Sequence, residues 1–116
     1  MQGRGLLAVA GALAMLTLAC ADDEPTGLGA GTIGVYDNEF SPAELTRYEN
    51  QPVTWRWLGT EAHNIVFDDG EGNVADMTEG EHTRTFTVPG TYGFRCTNHS
   101  VDFSSGMSGF VLVLDL

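Results

Sequence analysis

From Thr32 onward, apolar and polar positions alternate in short runs. Ile33 and Val35 alternate with Thr32, Gly34 and Tyr36, and Val53, Trp55 and Trp57 alternate with Thr54, Arg56 and Leu58. A period of two is that of a strand with one buried face, so both Trp side chains are expected in the core rather than on a ligand platform. Further runs over Asn64 to Phe67, Thr83 to Val88, Thr91 to Cys96 and Phe110 to Leu114 are rich in β-branched and aromatic residues and are divided by Gly, Pro, Asn and Asp. That pattern predicts an all-β sandwich or barrel. Tyr48-Glu49-Asn50-Gln51 reads as a turn, with Asn50 tolerating a left-handed backbone. Pro89-Gly90 reads as the turn of a hairpin between Phe86 and Tyr92. No stretch predicts a long helix. Pro42 to Leu45 is expected to form at most one short turn, and the acidic, Gly-rich Asp68 to Glu81 a loop with little regular structure.

The first residues follow a different pattern. Seventeen uncharged residues, Gly5 to Ala21, follow Arg4 and precede Asp22-Asp23-Glu24. The run falls short of a bilayer span and lacks a basic stop beyond it, so residues 1–19 are expected to be a signal peptide. Leu16-Thr17-Leu18-Ala19-Cys20 resembles a bacterial lipoprotein processing site, which implies an acylated Cys20 and a membrane tether on the periplasmic or cell-surface face. Thr17 stands where such sites more usually carry an aliphatic residue, so cleavage without a lipid is the alternative. Residues 20–31, acidic and rich in small residues, read as a flexible tether, which leaves 32–116 as the folded domain.

At 116 residues the chain has room for one domain core. The net charge of −11 includes five basic residues, all arginine, which argues against a basic patch for nucleic acid or an anionic membrane. The acidic excess serves solubility and also offers steering of a basic redox partner such as a c-type cytochrome. With Cys20 in the signal region, Cys96 is the one cysteine of the domain. A lone thiol in an oxidising compartment is a liability unless it is buried or bound.

The surroundings of Cys96 favour binding. Tyr92, Phe94 and Cys96 share one strand face, so the thiol points where the aromatics point. His99 lies three residues on, Met107 eight further within Gly106-Met107-Ser108-Gly109, and His63 begins the Asn64 to Phe67 run. Two imidazoles, a thiolate and a weak thioether form the ligand set of an electron-transfer copper site. Soft sulfur suits Cu(I) and imidazole suits Cu(II), so one arrangement accepts both states. Zinc competes less well, because structural zinc sites rarely use a thioether.

Three ordered segments carry a family resemblance: Tyr36-Asp37-Asn38-Glu39-Phe40-Ser41-Pro42-Ala43-Glu44-Leu45 with Val53-Thr54-Trp55; His63-Asn64-Ile65-Val66-Phe67; and Pro89 to His99. Together with Gly106-Met107 and the final run, they resemble small blue-copper proteins, cupredoxins of the plastocyanin and halocyanin kind. The resemblance implies a Greek-key β-sandwich of about seven to eight strands and one type 1 copper ion held by His63, Cys96, His99 and an axial Met107. It also implies that Asn64 braces the backbone around the cysteine. Such members place four residues between the second histidine and the methionine, whereas seven intervene here, Ser100 to Gly106. Met107 is thus the least secure ligand, and a backbone oxygen is the alternative axial group. Val101 and Phe103 in this enlarged loop are expected to form an apolar contact patch around His99.

The expected activity is outer-sphere electron transfer between protein redox partners, a c-type cytochrome or an oxidase, by a monomer that is not an enzyme. Copper enzymes built on this sandwich need further histidines, and only His82 is left over, expected as a solvated side chain. Met77 is expected as filler. Two rivals remain open at this point: a copper-handling module without redox turnover, and a metal-free adhesion-type sandwich.

Overall fold

The computed structural model describes residues 27–116. The expected signal peptide over 1–19, Cys20 and most of the tether over 20–31 lie outside the described residues. Gly31–Leu116 form a compact unit containing nine strands: β1 (Thr32–Tyr36), β2 (Glu39–Ser41), β3 (Glu44–Tyr48), β4 (Pro52–Trp57), β5 (His63–Phe67), β6 (Val74–Met77), β7 (Gly80–Thr85), β8 (Gly90–Arg95) and β9 (Ser108–Leu114). They build two sheets, ordered β2-β1-β4-β7 and β3-β9-β8-β5-β6. β1 runs parallel to β4 and β3 parallel to β9, and the other pairings are antiparallel. The observed architecture is the all-β sandwich expected from the pattern, with the Greek key that the family resemblance implied.

The period of two in β4 does what it predicts. Val53, Trp55 and Trp57 are buried between the sheets. Edges of Phe67 and Phe94 meet the Trp55 ring at centroid distances of 5.2 and 5.4 Å, the T-shaped geometry that aromatic quadrupoles favour. Asn50 has φ 71°, and Gln51 N–H donates to the Tyr48 carbonyl at 3.2 Å, closing the expected turn.

Four expectations are corrected. The strand count is nine rather than seven to eight, because Val74–Met77 pairs with β5 as a short edge strand inside the segment expected to be a loop. Pro42 to Leu45 makes no helical turn; Glu44 already opens β3, which pairs along β9. Phe86 and Tyr92 do not bridge a hairpin, since β7 lies in one sheet and β8 in the other. Pro89-Gly90 instead carries the chain across the sandwich, with the two rings 4.4 Å apart and the Tyr92 hydroxyl donating to the Val88 carbonyl. His82 is half-buried rather than fully solvated. It stands opposite Trp55 in the β4–β7 ladder, its Nε2 buried without a partner, and burial, helped by the nearby Arg84 charge, lowers its pKa.

Arg84 closes one side of the core. Its guanidinium lies 4.6 Å from the Phe67 ring centroid and 4.4 Å from that of Phe86, and Nη2 donates to Asp69 Oδ2 at 2.6 Å. Removing this lid by Arg84→Ala is expected to cost about 2 kcal/mol, the scale of a partly desolvated cation–π contact, read by urea denaturation. The hydrogen bond from Arg84 lowers the pKa of Asp69. On acidification below the ordinary carboxylate range the unfolded chain therefore takes up this proton first, and the pair's stabilisation fades as pH falls. Asp69→Asn should flatten that part of the acid slope; an unchanged slope would place the acid sensitivity elsewhere.

Candidate metal centre

Three connections converge at one end of the sandwich: the β1–β2 turn, the β4–β5 loop and the long β8–β9 loop. Cys96 follows directly on β8, His63 opens β5, and both are fully buried. The backbone stitches the β8–β9 loop into a ring. His99 N–H donates to the Cys96 carbonyl at 3.2 Å, Met107 N–H to the His99 carbonyl at 3.1 Å, and Cys96 N–H to the Met107 carbonyl at 3.0 Å. Gly106 is required in this ring: it has φ 67°, and a Cβ there would stand 2.5 Å from the His99 carbonyl oxygen. Three additional loop residues are thus absorbed without parting Met107 from the Cys96 backbone.

Side chains of the expected ligands gather as follows. Cys96 Sγ is 3.7 Å from His63 Nδ1, and the His63 and His99 rings have centroids 5.1 Å apart. Met107 is buried at 1% exposure, whereas the His99 side chain keeps 28%. Asn64 spans from β5 to the residue after the cysteine: its Oδ1 accepts from Thr97 N–H at 2.9 Å and its Nδ2 donates to Thr97 Oγ1 at 2.8 Å. This is the brace that the family resemblance implied.

Two participants escaped the sequence reading. Asp37, at the β1–β2 turn, faces His63 Nε2 at 2.9 Å. Glu61 Oε1 lies 3.6 Å from His99 Nε2, and one ligand atom each from Glu61, His63 and His99 fall within 4.8 Å of one another. Glu61 had no periodic signal, because it lies in the bend before β5 rather than on the strand. The hydrogen bond from His63, together with those from Glu61 N–H and Thr60 N–H, holds the Asp37 carboxyl well below the usual carboxylate range.

The expected Val101 and Phe103 patch is not formed by both residues. Val101 is 86% exposed, but the Phe103 ring packs over Gly93 and under the Arg95 guanidinium, 5.3 Å from its centroid. Gly93 leaves the outer face of β8 bare, and the ring covers it. Arg95 Nη1 also donates to the Ser100 carbonyl at 3.0 Å, which holds the loop against the sheet.

The donor set fits copper. With Nε2 of His63 facing Asp37, Nδ1 is the ring nitrogen that meets the buried thiol, and a soft cation can displace the proton shared by such a pair. Residues 31–114 match the family described as copper binding proteins, plastocyanin/azurin family. Among curated relatives, chloroplastic plastocyanin of Hordeum vulgare is 30% identical over 116 residues, covering 90% of this chain and 70% of the relative. Among solved structures, the reduced Cu(I) form of the P52G mutant of amicyanin superposes with a TM-score of 0.59 at 30% identity, covering 74% of this chain and 83% of that one. A purple cupredoxin from Nitrosopumilus maritimus shares the fold, with a TM-score of 0.60 at 21% identity over 72% of this chain and 99% of that one.

Proposed function

Because the chain belongs to the plastocyanin/azurin family of copper-binding proteins, whose members are electron carriers rather than enzymes, we propose that it is an exported type 1 copper electron carrier. The observation that carries this reading is the buried contact of Cys96 Sγ with His63 Nδ1 at 3.7 Å, with the His99 ring alongside. When bound there, copper supplies one-electron chemistry between Cu(I) and Cu(II). Cys96, His63 and His99 would hold it, with the buried Met107 as the fourth candidate donor. The two sheets and the Asn64–Thr97 brace keep these side chains in one arrangement for both states, which keeps reorganisation small. The partly exposed His99 is the edge through which a protein partner, a c-type cytochrome or an oxidase, would exchange the electron. Export, and tethering through a lipid on Cys20, rest on the order of charged and apolar residues before Glu24.

A second reading has its own observation. Glu61, His63 and His99 offer a carboxylate and two imidazoles within 4.8 Å, a set that holds Cu(II) without thiolate and would serve copper handling without redox turnover. Adding Cu(II) to the purified protein separates the two. The electron-carrier reading expects an intense visible band from a thiolate–Cu(II) bond and a reversible potential. A pale, irreversible Cu(II) species would support the handling module instead, and no copper binding at all would leave a metal-free sandwich.

A further inference from the structure

His63 has both ring nitrogens engaged although its side chain is wholly buried: Nδ1 meets Cys96 Sγ at 3.7 Å and Nε2 meets Asp37 Oδ1 at 2.9 Å. A buried imidazole between a thiol and a carboxylate can adopt two neutral tautomers, and only the one protonated at Nε2 leaves a lone pair toward the sulfur. An ionised carboxylate accepts and never donates, so Asp37 selects that tautomer.

The carboxylate is itself fixed by the loop that leads into β5. Thr60 N–H is 3.1 Å from both carboxylate oxygens, Thr60 Oγ1–H donates to Oδ2 at 3.0 Å, and Glu61 N–H donates to Oδ1 at 3.0 Å. Gly59 makes room, since a Cβ there would lie 2.2 Å from Asp37 Oδ1. His63 is held at its other end as well, for Trp57 Nε1–H donates to its backbone carbonyl at 3.1 Å.

We propose that Asp37 is a positioning residue of the metal centre, which fixes the His63 ring with Nδ1 facing the metal and biases the site toward Cu(II). The proposal rests on the copper reading above for its second half only. A carboxylate at the far nitrogen raises the basicity of a ligating imidazole, and the more highly charged metal state gains more from that.

Two variants divide the claim. Asp37→Asn keeps an acceptor oxygen and removes the charge; Asp37→Ala removes the acceptor as well. In the metal-free, 15N-labelled protein, long-range proton–nitrogen correlations of His63 should show the Nε2–H tautomer alone in the native chain and both tautomers in Asp37→Ala. In the copper-loaded protein, Asp37→Asn should lower the preference for Cu(II) over Cu(I) about tenfold, the lower end of the effect of losing such an outer partner. That fold-change is a rise of about 59 mV in potential for one electron. Native tautomer populations in Asp37→Ala together with an unchanged potential in Asp37→Asn would overturn the proposal. Should the native protein itself lack the thiolate band, the electron-carrier reading fails, and the metal-free spectra alone decide whether Asp37 positions His63.

Discussion

Cys96→Ser is expected to abolish the intense visible absorption that copper gives the native protein while leaving the sandwich folded. The side chain is fully buried beneath the β8–β9 loop, and serine occupies nearly the same volume. Sγ stands 3.7 Å from His63 Nδ1, beyond hydrogen-bond reach for a hydroxyl on the shorter C–O bond, so the buried hydroxyl should cost about 1–3 kcal/mol, which a domain of this size can bear. What disappears is the anionic soft donor, leaving only the weaker, neutral thioether of Met107. Cu(I) affinity should fall by more than about 100-fold, beyond the range seen for losing an outer partner of a ligand, because imidazole and carboxylate serve Cu(I) poorly. Glu61, His63 and His99 remain, so the variant should still take up Cu(II) as a pale complex without a reversible couple. Competition against a Cu(I) chelator and a visible titration check both halves. An intense band surviving in the variant would mean that the sulfur is no ligand.

The contrast between Cys96 and Asp37 shows which parts of the site were legible in the chain. Cys96, His99 and Met107 follow one strand and its outgoing loop, so sequence spacing alone brings them near one another, and His63 stands out as a histidine opening an alternating apolar run. Asp37 is separated from His63 by 26 positions and sits before an Asn in what reads as an ordinary turn. Only the parallel pairing of β1 with β4 carries that turn to the loop before β5. Sheet membership was hidden for a similar reason. A Pro-Gly pair specifies that the chain turns at residue 89, but which sheet receives β8 depends on its pairing with β5 and β9. β6 was invisible because four residues with two exposed acidic or small side chains carry no apolar alternation; it exists through hydrogen bonds to its neighbour. The misreading of His82 has the same origin, since its polar flanks Glu81 and Thr83 signal solvent while Trp55 across the ladder draws the ring inward.

The other large effect concerns the core that holds these loops in place. Trp55→Ala should destabilise the metal-free domain by about 4 kcal/mol, the usual cost of emptying a buried aromatic site, because Trp55 is fully buried and meets both Phe67 and Phe94 edge-on. Single domains have roughly 5–15 kcal/mol in all, and in one of this size the loss lowers Tm by roughly 15–30 °C. The side chain touches neither Cys96 nor the histidines through any hydrogen bond, so copper affinity of the folded variant should be nearly native. Metal then acts by mass action on the folded state, adding about 4 kcal/mol at a free concentration 1,000 times Kd, enough to offset the mutation. Thermal unfolding with and without copper tests the coupling. The copper-loaded variant is expected to melt near the metal-free native protein, and combining Trp55→Ala with Cys96→Ser should weaken the rescue. A metal-free Trp55→Ala that melts within a few degrees of the native chain would show that the aromatic cluster is not what holds the two sheets together.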